Sequence, residues 1–177
     1  MAGLRKFVCY RRVKRAYTRK SKYKTKSYVK SVPVSKVVRY TMGNPKKQYE
    51  FEVSLVSKDL VQVRHNAIES ARIVSNRKLE AIIGKMDYFF RVRTYPHQIL
   101  RENKMIVGAG ADRMQTGMQR AFGRVVGIAA QLKKGQKIFS VYVNKKDLET
   151  AKLAMRTATR RLPFQGTVEV KPNTTAL

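Results

Sequence analysis

The sequence predicts an α+β fold: a mostly antiparallel sheet with two packed helices, an extended basic N-terminal arm and a long internal loop. Three observations predict it. Segments with the two-residue apolar alternation of strands surround two segments with the helical apolar period. Basic residues crowd the first 49 positions, where no acidic residue occurs. A stretch that contains several glycines, 108–123, interrupts the strand pattern.

The arm is predicted to span residues 1–35. Residues 1–49 hold 16 of the 39 Lys and Arg residues, and the first acidic residue is Glu50. Four tyrosines lie among these cations: Tyr10, Tyr17, Tyr23 and Tyr28. Such a composition buries too little apolar surface to fold alone, so we expect the arm to become ordered on a polyanion.

A single domain is predicted over residues 36–171, and it begins with two strands. Lys36–Met42 favours a strand, and Gly43-Asn44-Pro45 favours a turn. Residues 49–55 alternate apolar and polar side chains, which is the pattern of a half-buried strand.

The first helix is predicted to follow a cap at Ser57 or Asp59 and to end near Lys78. Its apolar stripe is expected to contain Leu60, Val63, Ala67, Ile68, Ala71 and Val74. Residues 79–83 fit either the last helical turns or a short strand, and we favour the strand.

The second half of the domain is predicted to contain five strands and one helix. Strands are expected at Tyr88–Tyr95, Ile99–Ile106, Arg124–Leu132, Gln136–Val143 and Thr167–Val170. Asn144 is the expected cap of the second helix, which Pro163 ends. Its apolar stripe is expected to contain Leu148, Ala151, Met155, Ala158 and Leu162. Residues 172–177 are expected to form a tail.

The net charge of +28 is the compositional outlier. A compact chain with that charge repels itself, and nucleic acid is the natural polyanion to compensate it. No apolar run reaches the length of a membrane span, and no signal peptide is visible, so we expect a cytoplasmic protein that does not bind membranes.

Few groups suggest catalysis or metal binding. The single cysteine, Cys9, and the two histidines, His65 and His97, are scattered without the spacing of a zinc site. His97 fits either an RNA contact or a hydrogen-bonded loop histidine. We expect no cofactor, no metal and no enzymatic activity.

The segment Gly108–Gly123, GAGADRMQTGMQRAFG, admits three interpretations. It lacks the Gly-Lys-Ser/Thr of a phosphate-binding P-loop, which disfavours a catalytic loop. A plain connecting loop is possible at this length. We favour a finger that meets RNA, because arginines, neutral donors and adaptable methionines alternate within it.

The run RVRTYPHQILRENKMIVGAGADRMQTGMQRAFG, Arg91–Gly123, resembles the signature of the universal L sixteen family of large-subunit ribosomal proteins. It looks most like the archaeal and eukaryotic branch, L ten-e. The segments NAIESARIVSNRKL at Asn66–Leu79 and CYRR to RKS at Cys9–Ser21 are similar to the family's first helix and basic N-terminus.

The resemblance implies a structural role on large-subunit ribosomal RNA, below the central protuberance and beside the cleft for aminoacyl-tRNA. It implies that loop 101–123 points toward the peptidyl-transferase centre and tRNA. The implied partners are large-subunit ribosomal RNA, tRNA and neighbouring ribosomal proteins, and we expect no homo-oligomer. A DNA-compacting or other non-ribosomal nucleic-acid-binding protein, and a phosphate-ester enzyme, are the alternatives.

The candidate site residues fall into two groups. Those expected to bind ribosomal RNA are Arg5, Lys6, Arg11, Arg12, Lys14, Arg15, Tyr17, Arg19, Lys20, Lys22, Lys24, Lys26, Arg91, Arg93, His97 and Lys104. Those expected in the loop that faces tRNA are Gly110, Asp112, Arg113, Gln115, Thr116, Gly117, Met118 and Arg120. We interpret the cations and tyrosines as phosphate and base contacts, since arginine forks phosphates and aromatic rings stack on bases.

Overall fold

A computed structural model describes residues 5–13, 17–19, 21–104, 106–115 and 117–173. Its strands are β1 (Thr41–Gly43), β2 (Phe51–Ser57), β3 (Val61–Arg64), β4 (Phe89–Val92), β5 (Gln98–Glu102), β6 (Arg124–Leu132), β7 (Lys137–Val143) and β8 (Gly166–Pro172). Its α-helices are α1 (His65–Ile82), α2 (Ala111–Met114) and α3 (Leu148–Thr159). Three short 3-10 helices lie at Phe7–Cys9, Lys24–Lys26 and Lys145–Asp147.

The strands form two antiparallel sheets. The large sheet has the order β1-β4-β7-β2-β8, and the small sheet has the order β3-β6-β5. Each of the six strand pairs is antiparallel. Strands β6 and β7 are consecutive in the chain but enter different sheets. The predicted α+β class is confirmed.

Helices α1 and α3 pack against each other and cover one face of the large sheet. Their buried residues Ile68, Ala71, Ala154 and Met155 share one hydrophobic core with sheet residues such as Phe90. Burial of these side chains supplies the main driving force for folding, at about 25 cal/mol for each Å² of apolar surface removed from water. In the part of the chain that the structure describes, no α-helix covers the opposite face of the large sheet.

The predicted start of the first helix was wrong. Residues 61–64 form β3, neither Ser57 nor Asp59 caps a helix, and α1 begins at His65 after Arg64. Leu60, placed in the apolar stripe, is 63% exposed. The periodicity was ambiguous here because Val63 fits both the predicted helix stripe and a strand face shared with Val61, and pairing with β6 decides for the strand.

The predicted strand at 79–83 was also wrong, because α1 continues to Ile82. Leu79 is fully buried and extends the stripe of Ile68, Ala71 and Ser75 by one more turn. The helical period of the apolar residues decides for a helix here, although the β-branched Ile82 and Ile83 individually favour a strand.

Other strands differ in length or burial from the prediction. The first strand is only Thr41–Gly43 rather than Lys36–Met42, and β5 ends at Glu102 rather than Ile106. Strand β2 is buried on both faces from Val53 to Ser57, and on its second face Ser54 donates a hydrogen bond to Glu52. Strands β6 and β7 lie where they were predicted, within one residue.

The second helix lacks the expected cap bond. Asn144 precedes the 3-10 turn Lys145–Asp147 and makes no capping hydrogen bond with its side chain, and α3 itself begins at Leu148. Its stripe is otherwise confirmed, since Ala151, Met155 and Ala158 are fully buried.

Candidate nucleic-acid interface

The arm lies on the small sheet, and its main chain meets strand β3 first. The amide of Gln62 donates a hydrogen bond to the carbonyl of Arg11 at 3.0 Å. The side-chain amide of Gln62 donates to the carbonyl of Tyr10, also at 3.0 Å. The guanidinium of Arg64 lies over the Tyr10 ring, 5.4 Å from its centroid, which is a cation–π distance. These contacts join the arm to the free edge of β3.

At the other edge of the small sheet, Arg101 of β5 binds two carbonyls of the arm. Its guanidinium donates to the carbonyl of Tyr17 at 3.0 Å and to that of Tyr28 at 2.8 Å. The two tyrosine rings meet edge to face with centroids 5.5 Å apart. Because one guanidinium holds both ends of this segment, the arm folds back as a closed loop across β5.

A small apolar cluster lies under this loop. Val29 of the arm is 4% exposed and packs with Ile99 of β5 and Ile128 of β6, and Val125 covers the cluster's margin. Phe7, nearer the start of the chain, packs against the main core. The body of the protein therefore gives the arm a defined place that its composition does not reveal.

The described cations of the arm remain outside. Its exposed arginines and lysines among the predicted site residues are Arg5, Lys6, Arg11, Arg12, Arg19, Lys22, Lys24 and Lys26. Arg5 makes an ion pair with Glu102, and Arg19 donates to the carbonyl of Lys26 at 2.7 Å and lies over the Tyr28 ring. Lys14, Arg15 and Lys20 lie outside the described residues. The main chain is held inward and the charges face solvent, an arrangement suited to a phosphate backbone.

Arg91 and Arg93 were both predicted to bind ribosomal RNA, and the structure gives them different environments. Arg91 is exposed. Arg93 donates to the hydroxyl of Ser140 at 3.2 Å and to the hydroxyl of Tyr142, and its guanidinium lies 3.5 Å from the Glu52 carboxylate. Arg93 is thus held by internal partners, whereas Arg91 presents its charge to solvent.

Glu52 is the anion at the centre of this network. Its carboxylate is 14% exposed and lies 2.8 Å from the ammonium of Lys137. Burial alone would raise the pKa of the Glu52 carboxyl, but hydrogen bonds from Lys137 and two serines lower it below its ordinary value of 4.5. The carboxylate stays ionised at neutral pH and fixes Arg93 and Lys137 on the sheet.

The loop that follows β5 is closed by Gln115. Its side-chain amide donates to the carbonyl of Lys104 at 2.9 Å and accepts from the amide of Ile106 at 3.0 Å. Gln115 was predicted as a donor to RNA. In the structure its side-chain amide instead makes hydrogen bonds that join the two sides of the loop. The exposed Lys104 side chain stays available for a phosphate.

Two glycines shape this loop. Gly110 has φ +75° and directly precedes the one-turn helix α2. Gly123 has φ +89°, and a Cβ there would lie 3.1 Å from the carbonyl of Glu102 and 2.9 Å from the sulfur of Met118. Only glycine fits at position 123, where the loop returns to β5, without displacement of the β5 backbone.

The loop presents apolar side chains to solvent. Val107 is 97% exposed, and Met114, Met118 and Phe122 are also exposed. Gly117 and Arg120 are exposed with positive φ. The side chains of Asp112 and Arg113 and the whole of Thr116 lie outside the described part of the chain. An exposed apolar tip on a tied base is suited to contact a partner.

The contacts of His97 agree with the interpretation of a hydrogen-bonded loop histidine. Its Nδ1 lies 2.9 Å from the carbonyl of Tyr95, its amide donates to Ala129, and its ring is exposed. The structure therefore accounts for His97 without RNA, although an exposed ring remains accessible to it.

Sequence reasoning missed the residues that hold the interface in place: Gln62, Arg101, Glu52 and Tyr142. Each lies in a strand whose neighbours become known only from sheet topology. The one available signal was Glu52, an acidic residue in a strand of a very basic chain.

Among the described residues, no group of three His, Cys, Asp or Glu side chains is arranged to hold a metal ion. A search of the same residues finds no helix with the length and hydropathy to cross a bilayer. Cys9 is exposed and unpaired with another cysteine.

A cationic arm held by its main chain, a tied loop with an apolar tip and an α+β body are features suited to a protein that binds a polyanion. Residues 13–169 match the model of the family described as ribosomal protein L16p/L10e. The chain belongs to this family, as the resemblance of Arg91–Gly123 predicted.

Proteins named large ribosomal subunit protein uL16 are similar along most of the chain. That of Methanococcus maripaludis is 48% identical over 162 residues, which cover 91% of this chain and 90% of the relative. That of Hyperthermus butylicus is 45% identical over 150 residues, 85% and 83% of the two chains. That of Methanocella arvoryzae is 48% identical over 141 residues, 80% and 82%. Each of these relatives is named as a protein of the large ribosomal subunit.

Replacement of Arg101 by Gln should loosen the arm. The variant loses the donors to Tyr17 and Tyr28, so trypsin should cleave between residues 5 and 30 several-fold faster than in the wild type. Mass spectrometry of timed digests measures this rate. Arg124→Gln is the matched control, because it removes an exposed arginine from the adjacent strand β6. Equal rates for the two variants would show that Arg101 does not hold the arm.

Replacement of Glu52 by Gln should lower stability at neutral pH by about 1.5–3 kcal/mol, the usual range for hydrogen bonds to a charged group. The folded-state pKa of Glu52 is lowered, so its stabilisation is present above the unfolded pKa and is lost as the pH falls through the folded value.

The difference in urea midpoint between wild type and Glu52→Gln should therefore shrink as the pH falls below about 4. Glu149→Gln, at an exposed ion pair with Lys152, should change the midpoint little at any pH. A difference for Glu52→Gln that is unchanged at low pH would contradict the ionised network.

Proposed function

We propose that this protein is a structural constituent of the large ribosomal subunit that binds large-subunit ribosomal RNA in the cytoplasm. The observation that carries the proposal is the arm, whose main chain is tied to Gln62 and Arg101 while its cations face outward. Membership in a family of ribosomal proteins supports the choice of RNA as the polyanion.

Binding is driven by the exchange of diffuse counterions for fixed cations. Each phosphate that a lysine or arginine neutralises releases condensed counterions, so the affinity falls steeply with salt. Because the body already holds the arm backbone, binding costs less conformational entropy than it would for a free segment. Recognition is of RNA shape and backbone, since the deep major groove of an RNA helix excludes side chains.

We further propose that the protein lies near the central protuberance and the aminoacyl-tRNA accommodation region. Loop 101–123 points there toward the peptidyl-transferase centre and tRNA, with neighbouring ribosomal proteins as additional partners. The exposed apolar tip and the tie at Gln115 support a projecting loop. Its role is to position RNA rather than to catalyse a reaction.

Neutralisation of the arm tests the main proposal. The arm variant carries Lys6→Gln, Arg12→Gln, Lys22→Gln and Lys24→Gln. The control variant carries Lys58→Gln, Arg77→Gln, Lys85→Gln and Lys134→Gln, all at exposed positions outside the arm.

Filter binding to large-subunit ribosomal RNA over a range of salt concentrations is the measurement. The slope of log affinity against log salt should become shallower by roughly 0.7–0.9 for each phosphate contact that is lost. We expect a large change for the arm variant and a small one for the control. Equal changes in slope for the two variants would show that the arm does not contact the RNA. Stronger wild-type binding to duplex DNA than to ribosomal RNA would favour the DNA-compacting alternative.

Replacement of Arg113 by Ala tests the loop proposal. We expect subunits with this variant to assemble normally, as judged by sucrose-gradient profiles, and to lose tRNA-dependent activity in a peptidyl-transfer assay. For the arm variant we expect the defect in subunit assembly to be larger than the defect in peptidyl transfer. An assembly defect as large as the activity defect would contradict a loop that faces tRNA.

A further inference from the structure

The face of the large sheet opposite α1 and α3 carries a stacked aromatic pair. Phe89 of β4 and Tyr142 of β7 are cross-strand partners, with ring centroids 5.6 Å apart and ring planes at 23°. Both lie outside the two hydrophobic clusters that form the protein's interior. Both are half-buried, so part of this pair is open to solvent.

The orientation of the pair is fixed by the polar network. The hydroxyl of Tyr142 accepts a hydrogen bond from Arg93, and Arg93 is held in turn by Ser140 and Glu52. Glu52 lies beside Tyr142 in the sheet register. An aromatic ring whose position is already determined loses little conformational freedom when a ligand stacks on it.

Arg91 supplies a cation next to the pair. It lies two residues after Phe89 on β4, so the two side chains project from the same face about 7 Å apart. Glu52 makes ion pairs with both Arg93 and Lys137, whereas Arg91 is exposed and makes no ion pair among the residues that the structure describes.

We propose that this face, defined by Phe89, Arg91 and Tyr142, is a second binding surface that takes an unpaired segment of RNA. Phe89 stacks on a base, and Arg91 binds an adjacent phosphate. Antiparallel sheets with exposed aromatic rings and flanking cations are suited to single strands, because every base offers a π-face while paired bases hide theirs. The inference rests on the proposed function, since it names the form of RNA that one surface binds.

A tryptophan reporter tests this surface directly, because the natural chain contains no tryptophan. Phe89→Trp places the single indole at the proposed site. Tyr95→Trp is the control, since Tyr95 is also an exposed aromatic and stacks on Tyr40 at a different place. A short oligouridylate is the probe, and fluorescence anisotropy of a labelled copy reports total binding to the full chain.

We expect saturable quenching of the Phe89→Trp emission by oligouridylate, and none for Tyr95→Trp at the same fraction bound. Anisotropy that rises while Phe89→Trp stays unquenched would overturn this inference and leave the proposed function standing. Absence of binding to both oligouridylate and large-subunit ribosomal RNA would overturn both.

A charge variant gives a second readout that does not depend on how the indole packs. Arg91→Gln should weaken oligouridylate binding roughly three- to tenfold, as expected for the loss of one phosphate contact at low salt. The control Arg77→Gln removes another exposed arginine, from α1 on the helical side of the large sheet. It should change the affinity for oligouridylate less than twofold. Equal effects of the two variants would overturn the assignment of Arg91 to this surface.

Discussion

The rest of the structure depends on how the small sheet holds the backbone of the arm. Without a partner, like charges along this segment would keep it extended. Gln62 and Arg101 bind four backbone carbonyls between them, and each bond uses a polar group of the main chain, not a cation of the arm. The attachment therefore leaves the positive charges available to RNA.

The same principle recurs elsewhere in the protein. Glu52 fixes Arg93 and Lys137 on the large sheet, and Gln115 ties the base of the loop. In each place a few uncharged or acidic groups position the backbone or a neighbouring cation. In the proposed function, the exposed arginines and lysines then add the affinity for RNA. Family membership agrees with such a division of roles, since a ribosomal protein must fold and then bind a polyanion.

Those elements of the fold that depend on apolar periodicity and on composition could be predicted from the sequence. Strands β6 and β7, the stripe of α3 and the basic arm followed from apolar spacing and charge. Val63 was misassigned because it fits both a helix stripe and a strand face, and only the pairing of β3 with β6 separates the two. The arm's docking was missed because its contacts join residues 50 to 90 positions apart, such as Tyr10 with Gln62 and Tyr17 with Arg101. Arg93 was assigned to RNA because its acidic partner lies in a distant strand.

Amide hydrogen exchange on the free protein tests the central claim that the body holds the arm before RNA binds. The amide of Tyr28 donates to Arg19 within the segment closed by Arg101, and that of Gln62 donates to Arg11. Both amides should exchange much more slowly than in an unstructured peptide when RNA is absent. Exchange of the Tyr28 amide at the unstructured rate, with protection only after ribosomal RNA is added, would contradict the claim.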